Sequence, residues 1–240
     1  MYISFVKSEL KKWSRDSMIR FMFGYPFVFG IIGRYFVPWI AERSNLNIDL
    51  YADLILVMLT LITPIAFGAI LAFSILEDRD DNILTSIKVT PLSINVFLSF
   101  RFVTVVILTY FTVVFVMWFS NIANFPVKNI FAIALLVSLE APVYGFLINA
   151  FSSNKIEGFA VMKGTGIFML FPIIALFFTD KKELFFSFAP GFWAAKSISS
   201  VIRGDGVLYL RYSHYYIIGV IYLVLLNLLS YKIFSKRVEF

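Results

Sequence analysis

The residues of this 240-residue chain that could carry out acid–base or metal chemistry are few and scattered. It has no Cys, which excludes disulfides and thiolate metal sites, and its one His, His214, cannot build a zinc site alone. One carboxylate, Glu140, falls inside a long apolar run, without the paired acids or His cluster that an intramembrane enzyme would require. No segment has the GxxxxGK[ST] spacing that cradles nucleotide phosphates. The dense charge lies elsewhere. The stretch "ILEDRDDNILTSIKVTPLS", Ile75–Ser93, gathers four carboxylates and two basic groups between two very apolar runs. Charges grouped in this way point to recognition of a soluble partner.

The elements that position these charges are membrane helices. The chain is 60% hydrophobic and 15% charged, with a mean hydropathy of +0.86, against about 25% charged residues in a soluble domain. Its apolar runs approach the roughly 20 residues that cross a bilayer as a helix. Six spans are expected: about Phe21–Ala41 with Pro26, Arg34 and Pro38; Asp53–Ile75 with Pro64; Ile94–Phe119; Asn129–Phe151 with Glu140 and Pro142; Gly164–Phe178; and Tyr215–Phe234. Between the last two, Leu184–Phe188 and "APGFWAAKSISSVI" read as a broken, re-entrant segment within an exterior region at 180–214. Ahead of the spans, Ile3, Val6, Leu10 and Trp13 form one apolar stripe, with Lys7, Lys11, Lys12 and Arg15 off it. That pattern suits a helix lying in the membrane surface, a basic topogenic tail being the alternative. Placing the N-terminus inside puts thirteen of the 21 Lys and Arg residues on the cytoplasmic side. The chain is therefore expected in the cell membrane with both termini cytoplasmic. The net charge of +6 then reflects basic cytoplasmic loops, and no nucleic-acid partner is expected.

With this topology the acidic stretch (residues 76–95) is a cytoplasmic loop. Asp80 and Asp81 suit the start of a short helix, where carboxylates oppose the positive dipole end. Ile83, Leu84 and Ile87 share one face, Lys88 sits in the last turn, and Thr90-Pro91 ends the helix. An apolar edge ringed by carboxylates is better buried in a basic protein groove than among anionic headgroups. The bland alternative is an ordinary capped loop helix.

Three segments carry a family resemblance. "SELKKWSRDSMIRFMFGYP" resembles the N-terminal signature of ABC-2 type transporter permeases: a basic amphipathic helix, an Arg-Asp pair, then an apolar span with an early Pro. "EDRDDNILTSIKVTPLSINVFLSFR" is similar to that family's acidic stretch, with Thr-Pro and a basic residue entering the third span. "EAPVYGFLINAFSSNKIEGFAVMKGTG" resembles the fourth-to-fifth span segment of its small drug- and peptide-export permeases. The resemblance covers essentially the whole chain and implies an all-α, six-span half permease of the type V, ABCG-like fold. Such a subunit pairs with a second copy or a paralogue and meets a separate ABC-type ATPase, which binds the ATP and Mg; the permease itself needs no cofactor. By the same analogy residues 80–92 form the coupling helix and residues 1–20 the connecting helix. Lys155 and Glu157 fall where relatives make a second, smaller ATPase contact, and a solvated tight loop is the alternative.

Of the charges inside the spans, Glu140 is a candidate to contact substrate or carry a proton, with a structural hydrogen bond as the alternative. Arg34 is expected to snorkel outwards, and Arg101 to pair with the acidic stretch. A hydrophobic or amphipathic cargo, such as a drug or toxin-like peptide, fits the many Phe residues. Lipid or polysaccharide export by a related permease remains open. A self-sufficient carrier or channel is the main rival, but the paired broken helices or inverted halves of such proteins are not evident.

Overall fold

The structure, a computed structural model, describes residues 11, 14, 15, 17–83 and 94–237. Those residues contain no β-strand. Helix α1 (Ser17–Ile31) runs through a π segment (Ile32–Phe36) into α2 (Val37–Ser44). Pro38 lacks the N–H that would bond the carbonyl of Arg34, which accounts for a wider turn at this point. Long helices α3 (Ala52–Asp80) and α4 (Ile94–Ser120) follow. Next come α5 (Val127–Ser138) and α6 (Glu140–Ala150), which meet at Leu139 as two parts of one span. Pro142 cannot donate to the carbonyl of Ser138, and the helix breaks one turn before it. Then come α7 (Lys155–Thr165), a 3₁₀ turn and α8 (Leu170–Ala175). A second 3₁₀ turn (Lys181–Phe186), α9 (Phe192–Arg203) and α10 (Tyr212–Arg237) complete the chain.

Among the described residues five helical stretches are long and apolar enough to cross a bilayer: 48–80, 96–120, 127–150, 155–175 and 212–237. The chain is thus a multi-pass membrane protein. The stretch 155–175 begins nine residues before the Gly164 expected to open that span. Asn154 caps it, its Oδ1 accepting from the Glu157 N–H at 3.0 Å while Glu157 Oε2 accepts from the Ser153 N–H at 2.8 Å. Lys155 and Glu157 are therefore the first turn of a span, and only residues 151–154 form the loop before it.

α3 is the central helix, buried along most of its length. It packs most extensively on α6, which runs parallel to it. A Cβ at Gly68 would lie 2.5 Å from the Ala141 carbonyl oxygen, and one at Gly145 would lie 2.6 Å from Leu71 Cδ2. Small residues at the crossing let the two backbones touch, the usual basis of helix association where lipid competes for apolar surface. Asn149 reinforces the contact by donating from Nδ2 to the Ala72 carbonyl at 3.3 Å.

The apolar interior falls into two clusters. One joins Leu56, Val57 and Leu61 of α3 to Ile133 and Val137 of α5, Phe192 and Trp193 of α9, and Tyr215 and Leu223 of α10. The other joins Phe67–Leu76 to Phe97 and Leu98 of α4, Phe146 of α6 and Phe234. The second lies at the end of the bundle bearing the acidic stretch, the first at the opposite, capped end.

Candidate functional site

The acidic stretch begins as the last turn of α3. Asp80 is its final residue and Asp81 its C-cap, and Asn82 (φ 57°) takes the left-handed conformation that stops a helix. This corrects the expectation that Asp80 and Asp81 open a new helix. Both are exposed, and a helical residue resumes only at Ile83. Leu84, Ile87, Lys88, Thr90 and Pro91 lie outside the described residues, as do Ile3, Val6, Leu10 and Trp13 of the N-terminal stripe.

Carboxylates at a helix C-terminus oppose the dipole, and here each upstream charge has a partner. Asp78 Oδ2 is 2.5 Å from Arg101 Nη1, both side chains being 1% exposed, and the Arg101 guanidinium lies over the Phe97 ring at 4.4 Å. Glu77 Oε1 lies 3.3 Å from Lys155 Nζ. Arg79 Nη1 donates to the carbonyl of Ser152 at 3.1 Å and to that of Asn149 at 3.5 Å, closing the end of α6. The expected pairing of Arg101 with the acidic stretch is thus present. Lys155 is brought to the same stretch, whereas the Glu157 carboxylate is engaged locally in capping α7. The Asp78–Arg101 pair joins α3 to α4 just before and just after residues 84–93, so both roots of that segment are held together.

Within the bundle, Glu140 is the first residue of α6. It is fully buried, and neither carboxylate oxygen has a hydrogen-bond partner among the described residues. A lone carboxylate at such a depth costs about 3 kcal/mol on insertion scales. Tyr144, one turn along, and Tyr222 of α10 interact with it electrostatically. Asn227 of α10 donates from Nδ2 to the Leu139 carbonyl at 2.8 Å, beside the helix break. Arg34 is exposed, donates from Nη1 to the Phe119 carbonyl at 3.1 Å and lies over the Phe119 ring, tying the π segment to the end of α4.

At the capped end lies a polar network that the sequence reading missed. Lys196 Nζ is 2.7 Å from Glu183 Oε2, both side chains fully buried, and also donates to the Phe178 carbonyl at 2.7 Å. Tyr215 donates its hydroxyl to Glu183. Asp53, at the start of α3, accepts from Arg203 Nε at 2.7 Å and from Ser199 Oγ at 2.6 Å. These contacts pin the 3₁₀ turn and α9 to α3 and α10. Burial pulls the Lys196 ammonium below the ordinary lysine value, against the opposing pull of Glu183. The available signal was two charges, Glu183 and Lys196, flanking the apolar "APGFWAA" run.

The described residues hold no group of three or more His, Cys, Asp or Glu side chains able to bind a metal. The functional arrangement is therefore two charged clamps at opposite ends of α3 and one unpaired carboxylate between them. Over residues 9–231 the chain matches the family described as fluoroquinolones export permease protein Rv2686c-like. Two similar proteins from Mycobacterium tuberculosis are named fluoroquinolones export permease protein MT2760 (strain CDC 1551 / Oshkosh) and Rv2686c (strain H37Rv). Each is 30% identical over 202 residues, spanning 81% of this chain and 80% of its own. No solved structure matches the chain.

Proposed function

Because the chain belongs to the Rv2686c-like family of fluoroquinolones export permeases, which are ABC-2 type permeases, we propose that it is the membrane subunit of an ATP-driven drug exporter. It moves amphipathic aromatic compounds of the fluoroquinolone kind out of the cell. The energy comes from ATP and Mg on a separate nucleotide-binding subunit. Two permease chains, identical or paralogous, form the pathway. Each spans the membrane six times, with Ser17–Ser44 as the first crossing and both termini cytoplasmic. Residues 80–92 dock on the ATPase, residues 1–20 lie along the inner membrane surface, and Lys155 makes a second contact beside the first. The turn at 181–186 and α9 close the outer end.

The observation that supports this reading best is the Asp78–Arg101 clamp at the root of residues 84–93. A docking segment transmits force only if its base is fixed to the spans, and two fully buried charges are a costly anchor for an idle loop. ATP-driven movement of the partner subunits would then tilt α3 and α4 together. The test is co-purification with the candidate ATPase. Asp80→Lys combined with Asp81→Lys is expected to abolish association and drug-stimulated ATP hydrolysis while the permease still inserts. Normal stoichiometry and stimulation in that variant would overturn the docking assignment. Transport by the purified chain alone on an ion gradient would instead establish a self-sufficient carrier.

A further inference from the structure

The Ser17–Ser44 segment is pinned to the bundle at one level and stands off it beyond. A Cβ at Gly33 of the π segment would lie 2.5 Å from Ser120 Cβ and 3.0 Å from Leu59 Cδ1, and Arg34 holds the Phe119 carbonyl. α4 ends at Ser120, whereas α2 runs on to Ser44. There Asn45 (φ 51°) stops it, the Leu46 N–H donates to the Ala41 carbonyl at 3.0 Å, and a 3₁₀ turn (Ile48–Tyr51) leads into α3. Between α2 and the start of α3 a groove of about 370 Å³ remains, within the range of sites that hold a small molecule, about 300–1,000 Å³.

The walls of this groove are apolar: Val37 and Ile40 come from α2, Leu54 and Ile55 from α3. Two polar side chains line it, Asn47 and Tyr51, and no charged one does. Asn47 Oδ1 accepts from the Asp49 N–H at 3.0 Å, which fixes the oxygen end of the amide on the 3₁₀ turn. Its Nδ2 and the Tyr51 hydroxyl are then two donors with no partner among the described residues. The same turn carries apolar side chains on its outside. Leu46 is 53% and Leu50 70% exposed, with Trp39 and Tyr51 also exposed. Such a patch at the end of two membrane segments belongs in the headgroup layer, not in water. Arg43, lying over the Trp39 ring at 4.5 Å, fits the same level.

This chemistry selects the occupant. A hydrocarbon chain fills the trough, and neutral acceptors at its head meet the two donors. A fatty-acid anion calls for a cation, which the groove lacks, and a helix of a second copy brings backbone carbonyls already bonded within itself. We propose that the groove binds a diacyl glycerophospholipid of the adjoining leaflet, one acyl chain lying between α2 and α3 and its ester carbonyl accepting from Asn47 Nδ2 and the Tyr51 hydroxyl. The lipid closes a seam that the chain itself leaves unpacked. This site stands independently of the drug-export reading.

The test is native mass spectrometry of the full chain, stripped of lipid in detergent and titrated with dioleoylphosphatidylcholine or with its diether analogue, which lacks the ester carbonyls. The wild type is expected to bind the diester saturably and the diether about fivefold less tightly, the worth of one or two hydrogen bonds. Tyr51→Phe and Asn47→Asp each delete a donor, the second keeping the acceptor that caps the turn. Both should weaken the diester several-fold and leave the diether unchanged. Ile40→Trp, at an exposed position on the groove wall, should weaken both lipids about tenfold. Equal binding of the two lipids by the wild type, or no saturable binding, overturns the proposal. So does wild-type affinity in Ile40→Trp, which would place the lipid elsewhere. A dimer that forms without lipid and is broken by Ile40→Trp would assign the groove to a second copy of the chain instead.

Discussion

Replacing Arg101 by Leu tests whether the two roots of the acidic loop are held by one interaction. At 2.5 Å and an effective dielectric constant near 20, opposite unit charges attract by roughly 6–7 kcal/mol. Desolvating two ions costs a comparable amount, so the intact pair adds little net stability over an apolar pair. Removing one member has a different consequence, because Asp78 then stays buried with its main counter-charge gone, a loss of about 3–5 kcal/mol. At about 2–4 °C per kcal/mol for a chain of this size, the midpoint of thermal unfolding in nanodiscs should fall by roughly 6–20 °C. Asp78→Leu should fall by a similar amount. The double variant Asp78→Leu with Arg101→Leu should recover most of the loss, short of the stacking of Arg101 on Phe97, about 1 kcal/mol. A double variant as unstable as the sum of the singles would refute the argument, since the two charges would then act independently. So would a single variant within about 1 kcal/mol of wild type.

Gly68→Val should cost about 3 kcal/mol or more, because the nearest atom to the new Cβ is the Ala141 backbone oxygen at 2.5 Å, which cannot rotate away. A wild-type yield of monodisperse protein with an unchanged unfolding midpoint would show that α3 and α6 do not cross there. Lys196 gives a pH test: its ammonium is held below the ordinary value, so the unfolded chain binds more protons than the folded one between the two values. Stability should therefore rise with pH in the window just below the usual lysine range, and Lys196→Met should remove that slope. A slope unchanged in Lys196→Met would place its origin elsewhere.

The fold was legible where apolar runs were long and unbroken: the expected span at Ile94–Phe119 is α4, Ile94–Ser120. It was less so where polar residues sit inside a helix. Lys155, Glu157 and Lys163 dilute the hydropathy at the start of the fifth span, yet the Asn154 cap and the Lys155–Glu77 pair hold them helical. Asp80 and Asp81 were read as a helix start because carboxylates favour N-termini. α3 instead ends on Asp80 with Asp81 as its C-cap; Arg101 and Lys155 arrive from other segments to offset the neighbouring Asp78 and Glu77, while Arg79 of α3 itself caps the end of α6. The pairing of Arg101 was legible because its position near the start of the span that follows the acidic stretch restricted its choices. The pairing of Asp53 with Arg203, 150 residues apart, was not. Nothing local specifies which of several distant cations an acid will meet. Asn227 offered a signal that went unused, a carboxamide in the middle of an otherwise apolar span.

The two ends of α3 are clamped to different helices, Asp53 to Arg203 of α9 and Asp78 to Arg101 of α4, across a helix about 43 Å long. A uniform rod would carry any push on the acidic stretch straight to the capped end. α3 is not uniform, because Pro64 removes a backbone bond near its middle. The apolar interior divides at the same level: Leu61 belongs to the cluster under the cap and Phe67 to the other. The parallel span divides there as well, Val137 falling in the first cluster and Ala141 in the second, with the Leu139 break between them and Pro142 directly after. α10 contributes Leu223 to one cluster and Phe234 to the other, and the Asn227 amide that grips the broken turn lies between. Four spans, α4 included with Val113 in the first cluster and Val105 in the second, thus pass from one packed body to the next, and between the two bodies sits the carboxylate of Glu140. Packed cores move as units and bend where packing and backbone bonding are interrupted together. The layer containing Glu140 is therefore where a tilt of one body against the other would be taken up.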